Sequence, residues 1–481
     1  MNQDYQWVMR PQRKGKTENI HFLDIEHAKK VNRFHSTFPV YEPTPLISLE
    51  HMSKNVGVDK IWVKDESYRF NLNAFKVLGG SYAIGRCLAK KLGKDISECT
   101  FEYLKSKAVK EKLKDLTFVT ATDGNHGRGV AWTAQQLGYH SVVYMPKGSA
   151  VERLRNIQNL GAEAYITDMN YDEAVRYANE QAEKNGWIMV QDTAWEGYED
   201  IPKWIMQGYM SMGYEIYKQL SSKPTHIFLQ AGVGSMSGSM DGFFANVYDQ
   251  DRPTVVIVEP NKANCLFQTA QANDGKLHFV TGEMNTIMAG LACGEPCTIG
   301  WDVLSHHADA FISCPDYTAA LGMRVLANPL GTDHRIISGE SGVQLKNIYP
   351  EVKAYCVFRN EHLLFSEKAE EPDYMDAYSV TPNFTDFFKL PLLPGDLRKT
   401  PSSPNEIAVT RSFARQQFGI ANPIGKSLTL GRYIVHFDGE KNIYKKIFEP
   451  CTITTVIDDS QKNFLHFGIL RGLPDEEISQ V

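Results

Sequence analysis

The feature that most constrains this chain is a regular alternation of short β-branched runs with longer helical patterns, which begins near residue 115. The predicted strands are LTFVTATDG, HSVVYMP, AEAYITD, WIMVQD, THIFLQAG, PTVVIVEP and AFISCP. Between them lie helical patterns such as GRGVAWTAQQLG, YDEAVRYANEQAEKNG and SAVERLRNIQNLG, the last with Ser149 as its predicted cap. This alternation predicts an α/β fold with parallel sheets covered by helices on both faces.

Three glycine-rich turns follow predicted strands: DGNHG (123–127), GVGSMSG (232–238) and SGESG (338–342). The first follows FVTAT, the second follows IFLQA and the third follows the RII run. Ligands of such folds bind at the carboxyl ends of the strands, where these turns open into helix N-termini. We therefore expect the turns to form the ligand site.

Composition excludes several classes of protein. A net charge of −6 argues against a nucleic-acid binder, which would carry a basic stripe. No stretch approaches the roughly 20 apolar residues of a membrane helix, and the first residues lack the apolar core of a signal peptide. The eight cysteines form no CxxC pair, which predicts a reduced, cytoplasmic enzyme without a zinc ribbon or another structural metal.

The character of the sequence changes after Gly342. Residues 343–481 lose the alternation and carry Pro-rich turns, one helical pattern (AVTRSFARQQFG) and β-rich stretches such as KSLTLGRYIVHF and CTITTVID. The chain is therefore predicted to have two domains, 1–342 and 343–481.

The first domain resembles the fold-type II pyridoxal-phosphate enzymes, and within them the diaminopropionate ammonia-lyases. The resemblance is carried, in the expected order, by NAFKVLGGSYAIG (73–85), VTATDGNHGRGVAWTAQQLG (119–138), VQDTAWEGYEDIPKWIMQGY (190–209), LQAGVGSMSG (229–238), MAGLACGEP (288–296) and ISGESG (337–342). It implies pyridoxal 5′-phosphate as cofactor and a small amino acid as substrate. It also implies a homodimer.

The resemblance assigns cofactor-binding residues. Lys76 would hold the cofactor covalently, which requires an amine that a partly desolvated site can deprotonate. The neighbouring Gly79 and Gly80 are expected to permit close approach of the backbone to a ligand. Asn125 would flank the pyridine 3′-oxygen, and the phosphate would lie in a cradle of backbone N–H groups at a helix start. The cofactor-binding residues are Lys76, Phe75, Asn125, Gly232, Val233, Gly234, Ser235, Met236 and Glu340.

Two aspartates indicate which lyase the chain resembles. Serine and threonine dehydratases usually have Ser or Ala at the position of Asp123, whereas the diaminopropionate ammonia-lyases have Asp there and a second Asp at the position of Asp192. The elimination needs a base for the Cα proton and a β-amine that leaves as ammonium, so acid–base groups are required on both faces of the substrate. The resemblance implies Lys76 as base for the L-isomer and Asp123 for the D-isomer. The alternatives are a turn-forming Asp123, a structural Asp192 and a serine/threonine dehydratase.

Two further calls depend on the resemblance. Cys265 and Cys293 match a pair that some members join by a disulfide; two buried thiols are the alternative. The lyase family continues beyond SGESG with about one more strand and helix, so the first domain is predicted to be truncated, with reduced activity.

The second domain resembles the periplasmic core domain of MacB/FtsX-like ABC-transporter permeases. The resemblance is carried by IYPEV (348–352), SVTPNFTDFF (379–388), NEIAVTRSFARQQFGIANPIGKSLTL (405–430) and TITTVIDDSQKNFLHF (452–467). It implies an α+β module that binds partners and has no catalytic residues. A non-catalytic chimera with a permease interaction module is therefore the alternative to an enzyme.

Overall fold

The fold is taken from a computed structural model, which describes residues 5–10, 18–122, 124–339, 358–365, 373–380, 401, 403, 405–419, 421–437, 442–457 and 469–472. The chain divides into two compact units. The first comprises Met1–Ile348 with Phe437–Lys441, and the second Tyr349–His436 with Asn442–Val481.

Ten strands among the described residues of the first unit form three sheets. The strands are β1 (Gln6–Met9), β2 (Leu46–Ser48), β3 (Trp62–Lys64), β4 (Thr117–Ala121), β5 (His140–Met145), β6 (Glu163–Ile166), β7 (Ile188–Met189), β8 (His226–Gln230), β9 (Thr254–Pro260) and β10 (Ala310–Cys314). One sheet has the order β6-β5-β4-β7 and is parallel throughout. The second has the order β1-β10-β9-β8, with only β1 antiparallel, and β2 pairs with β3. The predicted parallel sheets are confirmed, whereas the antiparallel β1 was not predicted.

Thirteen α-helices of the first unit's described residues connect and cover these strands. They are α1 (Ile25–His35), α2 (Glu50–Val56), α3 (Lys76–Leu92), α4 (Phe101–Lys105), α5 (Lys107–Lys112), α6 (Asn125–Leu137), α7 (Val151–Gln158), α8 (Tyr171–Asn185), α9 (Asp200–Gln219), α10 (Ser235–Tyr248), α11 (Cys265–Ala272), α12 (Thr298–His307) and α13 (Asp316–Ala327). In the described part of the chain no helix is both long and apolar enough to cross a membrane.

Glycine explains the ends of two helices, and two predictions from the sequence need correction. Gly138 and Gly186 end α6 and α8 in the left-handed conformation that glycine adopts without steric cost. The prediction that Ser149 caps α7 is wrong: Ala150 occupies the cap position without a side-chain hydrogen bond, and Ser149 N–H donates to Pro146 O in the preceding turn. The RII run is not a strand either, since residues 333–339 lie in no regular element.

Glycines allow α3 to pack closely against α9. A Cβ at Gly208 would overlap the backbone oxygen of Leu78, and one at Gly79 would lie 2.7 Å from Ile205 Cγ2 and 2.8 Å from Tyr209 Cε1. A Cβ at Gly80 would meet Val130 of α6 at 3.4 Å. The prediction that Gly79 and Gly80 approach a ligand is therefore wrong, because both face neighbouring helices and fix the position of α3.

The second unit is a closed barrel with one described helix. Its strands are β11 (Phe358–Phe365), β12 (Asp373–Val380), β13 (Glu406–Thr410), β14 (Ser427–Phe437), β15 (Asn442–Ile457) and β16 (Ile469–Gly472), in the order β11-β12-β16-β13-β15-β14. The helix α14 (Arg411–Phe418) is shorter than AVTRSFARQQFG predicted, because Ala408–Thr410 belong to β13 and Thr410 caps the helix. The IYPEV motif lies outside the described residues.

Candidate active site

Lys76 is the first residue of α3, at the end of a loop with unusual backbone conformations. Phe70, Asn71 and Asn73 have φ values of 49°, 58° and 55°. Phe75, just before the helix, packs its ring edge-on against Tyr209 with centroids 5.4 Å apart. The lysine is therefore presented from a loop that is fixed by packing on α9.

Lys76 lies against Asp192, as the resemblance predicted for two residues of one site. Lys76 Nζ is 3.3 Å from Asp192 Oδ2 and donates a hydrogen bond to it. The lysine side chain is 19% exposed and the aspartate side chain 5%. An amine and a carboxylate that share one largely buried position can exchange a proton with a molecule bound beside them.

Asp192 is surrounded by groups that favour its charged form. Tyr171 Oη donates to Asp192 Oδ1 at 3.2 Å, and Gln191 Nε2 donates to the same oxygen at 3.3 Å. His126 Nδ1 lies 4.0 Å from Asp192 Oδ2. Burial raises the pKa of Asp192, but the charges of Lys76 and His126 and the hydrogen bonds outweigh it and lower the pKa to about 2. Asp192 is therefore ionised at neutral pH.

Three of these neighbours, His126, Tyr171 and Gln191, were not among the predicted site residues. His126 belongs to the DGNHG motif and its Nε2–H donates to Val190 O at 2.8 Å, so its place in that motif was a usable signal. Tyr171 is the first residue of α8 and has no local motif. Only the packing of α8 beside Gln191, whose Nε2 also donates to Tyr171 Oη at 2.9 Å, brings it to the site.

The segment from Gly232 to Met236 has the shape of an anion cradle. It connects β8 to α10, and Gly234, with φ of 99°, occupies the cap position of that helix, so no side chain caps it. The first N–H groups of a helix lack partners within the helix and attract anions. A Cβ at Gly234 would lie 3.3 Å from Leu266, and one at Gly232 would lie 3.3 Å from Cys293 Sγ. These residues fit a phosphate group.

The cradle is joined directly to Asp192. Ser235 Oγ donates a short hydrogen bond to the backbone oxygen of Asp192. On the other side Cys297 N–H donates to Val233 O at 2.7 Å. The structure therefore brings Lys76, Asp192 and the predicted phosphate cradle into one site.

Of the remaining predicted residues, Asn125 is the first residue of α6 and its side chain is exposed. It follows Gly124, whose φ of 153° suits glycine. Asp123 and Glu340 lie outside the described residues. No disulfide joins the cysteines of the described chain, so Cys265 and Cys293 are two separate buried thiols.

Comparison with known proteins places this site in a family. The profile of the family described as "Pyridoxal-phosphate dependent enzyme" matches residues 37–346. The diaminopropionate ammonia-lyase of Salmonella typhimurium is 53% identical over 343 residues, which are 70% of this chain and 85% of that protein. The catabolic L-threonine dehydratase of Staphylococcus aureus is only 26% identical over 289 residues, 60% of this chain and 72% of that protein.

A solved structure agrees with the sequence relatives. The crystal structure of the Escherichia coli diaminopropionate ammonia-lyase in complex with D-serine has 48% sequence identity and a TM-score of 0.67, and the match covers 72% of this chain and 86% of that one. The chain thus belongs to the fold-type II pyridoxal-phosphate-dependent enzymes and, within them, to the family of the diaminopropionate ammonia-lyases.

Proposed function

We propose that the first unit catalyses the pyridoxal-phosphate-dependent elimination of one ammonia from 2,3-diaminopropionate, and that water hydrolyses the unsaturated product to pyruvate and a second ammonia. The observation that carries the proposal is the Lys76–Asp192 pair, at 3.3 Å, in a chain 53% identical to a lyase of that name. When bound, pyridoxal phosphate supplies the electron sink for the charge released at Cα.

The chain's own residues supply binding and proton transfer. Gly232 to Met236 would hold the phosphate through backbone N–H groups, and Lys76 would hold the cofactor covalently. Lys76 is also the base for the L-isomer, and Asp123 the base for the D-isomer. Asn125 and Glu340 complete the proposed cofactor contacts.

Asp192 is proposed to act on the leaving group as an anion. Its pKa of about 2 means that it carries a negative charge throughout the physiological range. A buried negative charge raises the pKa of a neighbouring amine. A β-amine beside Asp192 therefore stays protonated and departs as ammonia, which explains why a diamino acid suits this site better than a hydroxy amino acid.

Serine/threonine dehydration, the alternative reaction, is not favoured. The dehydratase comparison has about half the identity of the lyase comparison. A hydroxyl leaving group is uncharged, and an ionised Asp192 next to it has no proton to give.

The proposal is tested by reduction of the cofactor-loaded protein with borohydride, followed by peptide mass spectrometry and a pyruvate assay with D- and L-2,3-diaminopropionate. We expect a stable adduct on Lys76 and pyruvate from 2,3-diaminopropionate in excess of that from serine. Lys76→Ala should lose both, whereas Lys90→Ala, an exposed lysine of the same helix, should lose neither. An adduct on another lysine, or faster pyruvate formation from serine, would remove the basis of the proposal.

We further propose that residues 343–481 form a permease-type partner-binding module of the MacB/FtsX kind. Support comes from the ordered sequence motifs and from a compact unit with its own apolar core, which includes Ile407, Val409, Ile453 and Val456. The family profile ends at residue 346, so the module is not part of the matched enzyme.

A cytoplasmic homodimer is proposed for the enzyme unit. The absence of a disulfide among the described cysteines supports a reducing compartment. The exposed Trp7 and Met9 on the edge strand β1 support association with a second copy.

A further inference from the structure

The first turn of α8 lies between Asp192 and residues 291–297, which pack beside the proposed phosphate cradle. A capping box fixes this turn: Asn170 Oδ1 accepts from Glu173 N at 2.9 Å, and Glu173 Oε2 accepts from Asn170 N at 3.0 Å. Tyr171, its first residue, donates to Asp192 at 3.2 Å. The position of α8 therefore sets one hydrogen bond to Asp192.

The next residue of the turn, Asp172, points to a different segment. Its carboxylate lies beside the backbone of Gly294, whose N–H group favours the charged form of Asp172. A Cβ at Gly294 would overlap the Val280 carbonyl oxygen and lie 3.0 Å from Asp172 Oδ2, while Val280 N–H donates to Gly294 O at 3.0 Å. Gly294 is therefore enclosed on both sides and has little freedom to shift.

The segment that contains Gly294, residues 291–297, forms the back of the phosphate cradle. A Cβ at Gly232 would lie 3.3 Å from Cys293 Sγ and 3.4 Å from Leu291 Cα, and Cys297 N–H donates to Val233 O at 2.7 Å. A displacement of Gly294 would therefore be transmitted to Gly232 and Val233.

A second contact ties the same two segments together. Arg176, one turn along α8 from Asp172, has Nη1 at 2.7 Å from Glu295 Oε1. The two side chains are 61% and 39% exposed, so the pair contributes little stability and serves mainly to fix which residues meet. The contact between Asp172 and Gly294 is less exposed than this ion pair, so it holds the two segments together more strongly.

We propose that Asp172 is a positioning residue of the active site, which locks the first turn of α8 to residues 291–297 so that the Tyr171–Asp192 hydrogen bond and the phosphate cradle are set together. The inference rests on the site assigned under the proposed function and adds a residue that does not touch the reacting atoms.

The charges around Asp172 predict that its contact with Gly294 depends on pH. Burial raises the pKa of Asp172 to about 6, and Glu295 and Glu173 also raise it, whereas Arg176 and the Gly294 N–H group lower it. The ionised carboxylate is the better acceptor for Gly294 N–H. Protonation of Asp172 below about pH 6 should therefore weaken the contact between the first turn of α8 and residues 291–297.

The test compares Asp172→Ala and Asp172→Asn with the wild-type chain and with Glu183→Ala, an exposed acidic residue of the same helix. The readouts are the Kd of the apoprotein for pyridoxal phosphate by fluorescence titration, hydrogen exchange of residues 273–297, and kcat and KM across pH 5–9.

We expect Asp172→Ala to weaken cofactor binding and to lower kcat, each by about 10- to 100-fold, as loss of a hydrogen bond to a charged group does. KM should change much less, and exchange at residues 291–297 should accelerate. Asp172→Asn is the neutral counterpart of the protonated acid, so at every pH it should bind the cofactor and turn over as the wild type does below about pH 6. It should therefore lose the acidic limb of the kcat profile. Glu183→Ala should match the wild type.

An Asp172→Ala protein that binds the cofactor, exchanges and turns over like Glu183→Ala would overturn the proposal. If Asp172→Ala fails to fold, an Asp172→Asn protein that retains the acidic limb would overturn it. Absence of turnover in the wild-type chain would count against the proposed function only, because the cofactor Kd and hydrogen exchange still decide the role of Asp172.

Discussion

Asp192 shows how a buried residue keeps its charge. Transfer of a carboxylate out of water normally raises its pKa, yet here the pKa is lowered to about 2, because Lys76 and His126 supply positive charge and Tyr171 donates a hydrogen bond. The aspartate consequently does not titrate in the working range.

Asp123→Asn should reduce turnover of D-2,3-diaminopropionate far more than turnover of the L-isomer. Loss of a positioned general base costs about 10²- to 10⁴-fold, and Lys76, the proposed base for the L-isomer, is untouched. Steady-state kinetics with each enantiomer measure the effect, and the cofactor spectrum checks that binding persists. Asp192→Asn is the matched comparison and should impair both isomers, since it acts on the shared leaving group. Equal loss for both isomers in Asp123→Asn would make Asp123 structural.

At the scale of single residues, the sequence predicted those candidate site residues that lie in short motifs. Lys76 in NAFK and the glycines of GVGSMSG were found because their neighbours along the chain define them. Tyr171 was missed because its contact with Asp192 depends on tertiary packing over 21 positions. Asp172 was missed for the same reason, since its partner Gly294 lies on a distant segment.

Among the elements, the start of α11 is fixed by a side chain from a neighbouring strand. Glu259, in β9, accepts hydrogen bonds from Leu266 N at 3.0 Å and Phe267 N at 2.6 Å and is fully buried. Leu266 in turn packs on Gly234, so this cap supports the phosphate cradle. Burial raises the pKa of Glu259 to about 8, although the two N–H groups and the Cys265 thiol lower it.

Glu259→Gln should flatten the dependence of stability on pH. Because the folded-state pKa is raised from 4.5 to about 8, the contribution of Glu259 is complete below about pH 4.5 and is lost as pH rises through 8. Glutamine cannot ionise, so the free energy of unfolding of the variant, relative to wild type, should rise from pH 5 to pH 8. Urea denaturation at several pH values measures it; parallel curves for the two proteins would contradict the assignment.

The elements were predicted best where local pattern and tertiary packing agree. The alternation found the parallel strands β4, β5, β6, β8, β9 and β10 because buried parallel strands are continuous apolar runs. Ser149 was a misleading cap signal because Pro146 draws its N–H into a turn. The strand β1 could not be predicted, since its four residues pair with β10 across about 300 positions.

For the whole molecule, the open edge at β8 of the sheet β1-β10-β9-β8 is a structural liability. Within the described residues β8 pairs only with β9, and Phe228 of β8 is 65% exposed. An exposed apolar edge strand favours aggregation. The first domain is predicted to lack the lyase-type ending after Gly342, and we expect that ending to cover this edge.

A chain that carries a lyase-type ending after Gly342 should be more soluble and more stable than the natural chain. If that ending packs on β8, the burial of Phe228 alone would contribute about 1.5–3 kcal/mol, and the activity should rise with the fraction of folded enzyme. Light scattering, thermal unfolding and the pyruvate assay compare the two proteins.

As a control, Phe228→Lys in the natural chain should reduce aggregation without restoring stability. Limited proteolysis of the natural chain is expected to cut near 343–350 and to release a folded C-terminal fragment. A natural chain that stays monodisperse, and is as stable and active as the extended one, would contradict this prediction.

Gly234, at the cap position of α10, has a consequence for the stability of this helix. Many helix N-termini are capped by a side-chain oxygen, but Gly234 has none to offer. A phosphate bound there, as proposed above, would serve as the cap of the helix as well as the anchor of the cofactor. Inorganic phosphate at 100 times its Kd would then add about 2.7 kcal/mol to the stability of the apoprotein. On this proposal the stability of the first turn of α10 would depend on the concentration of a small anion.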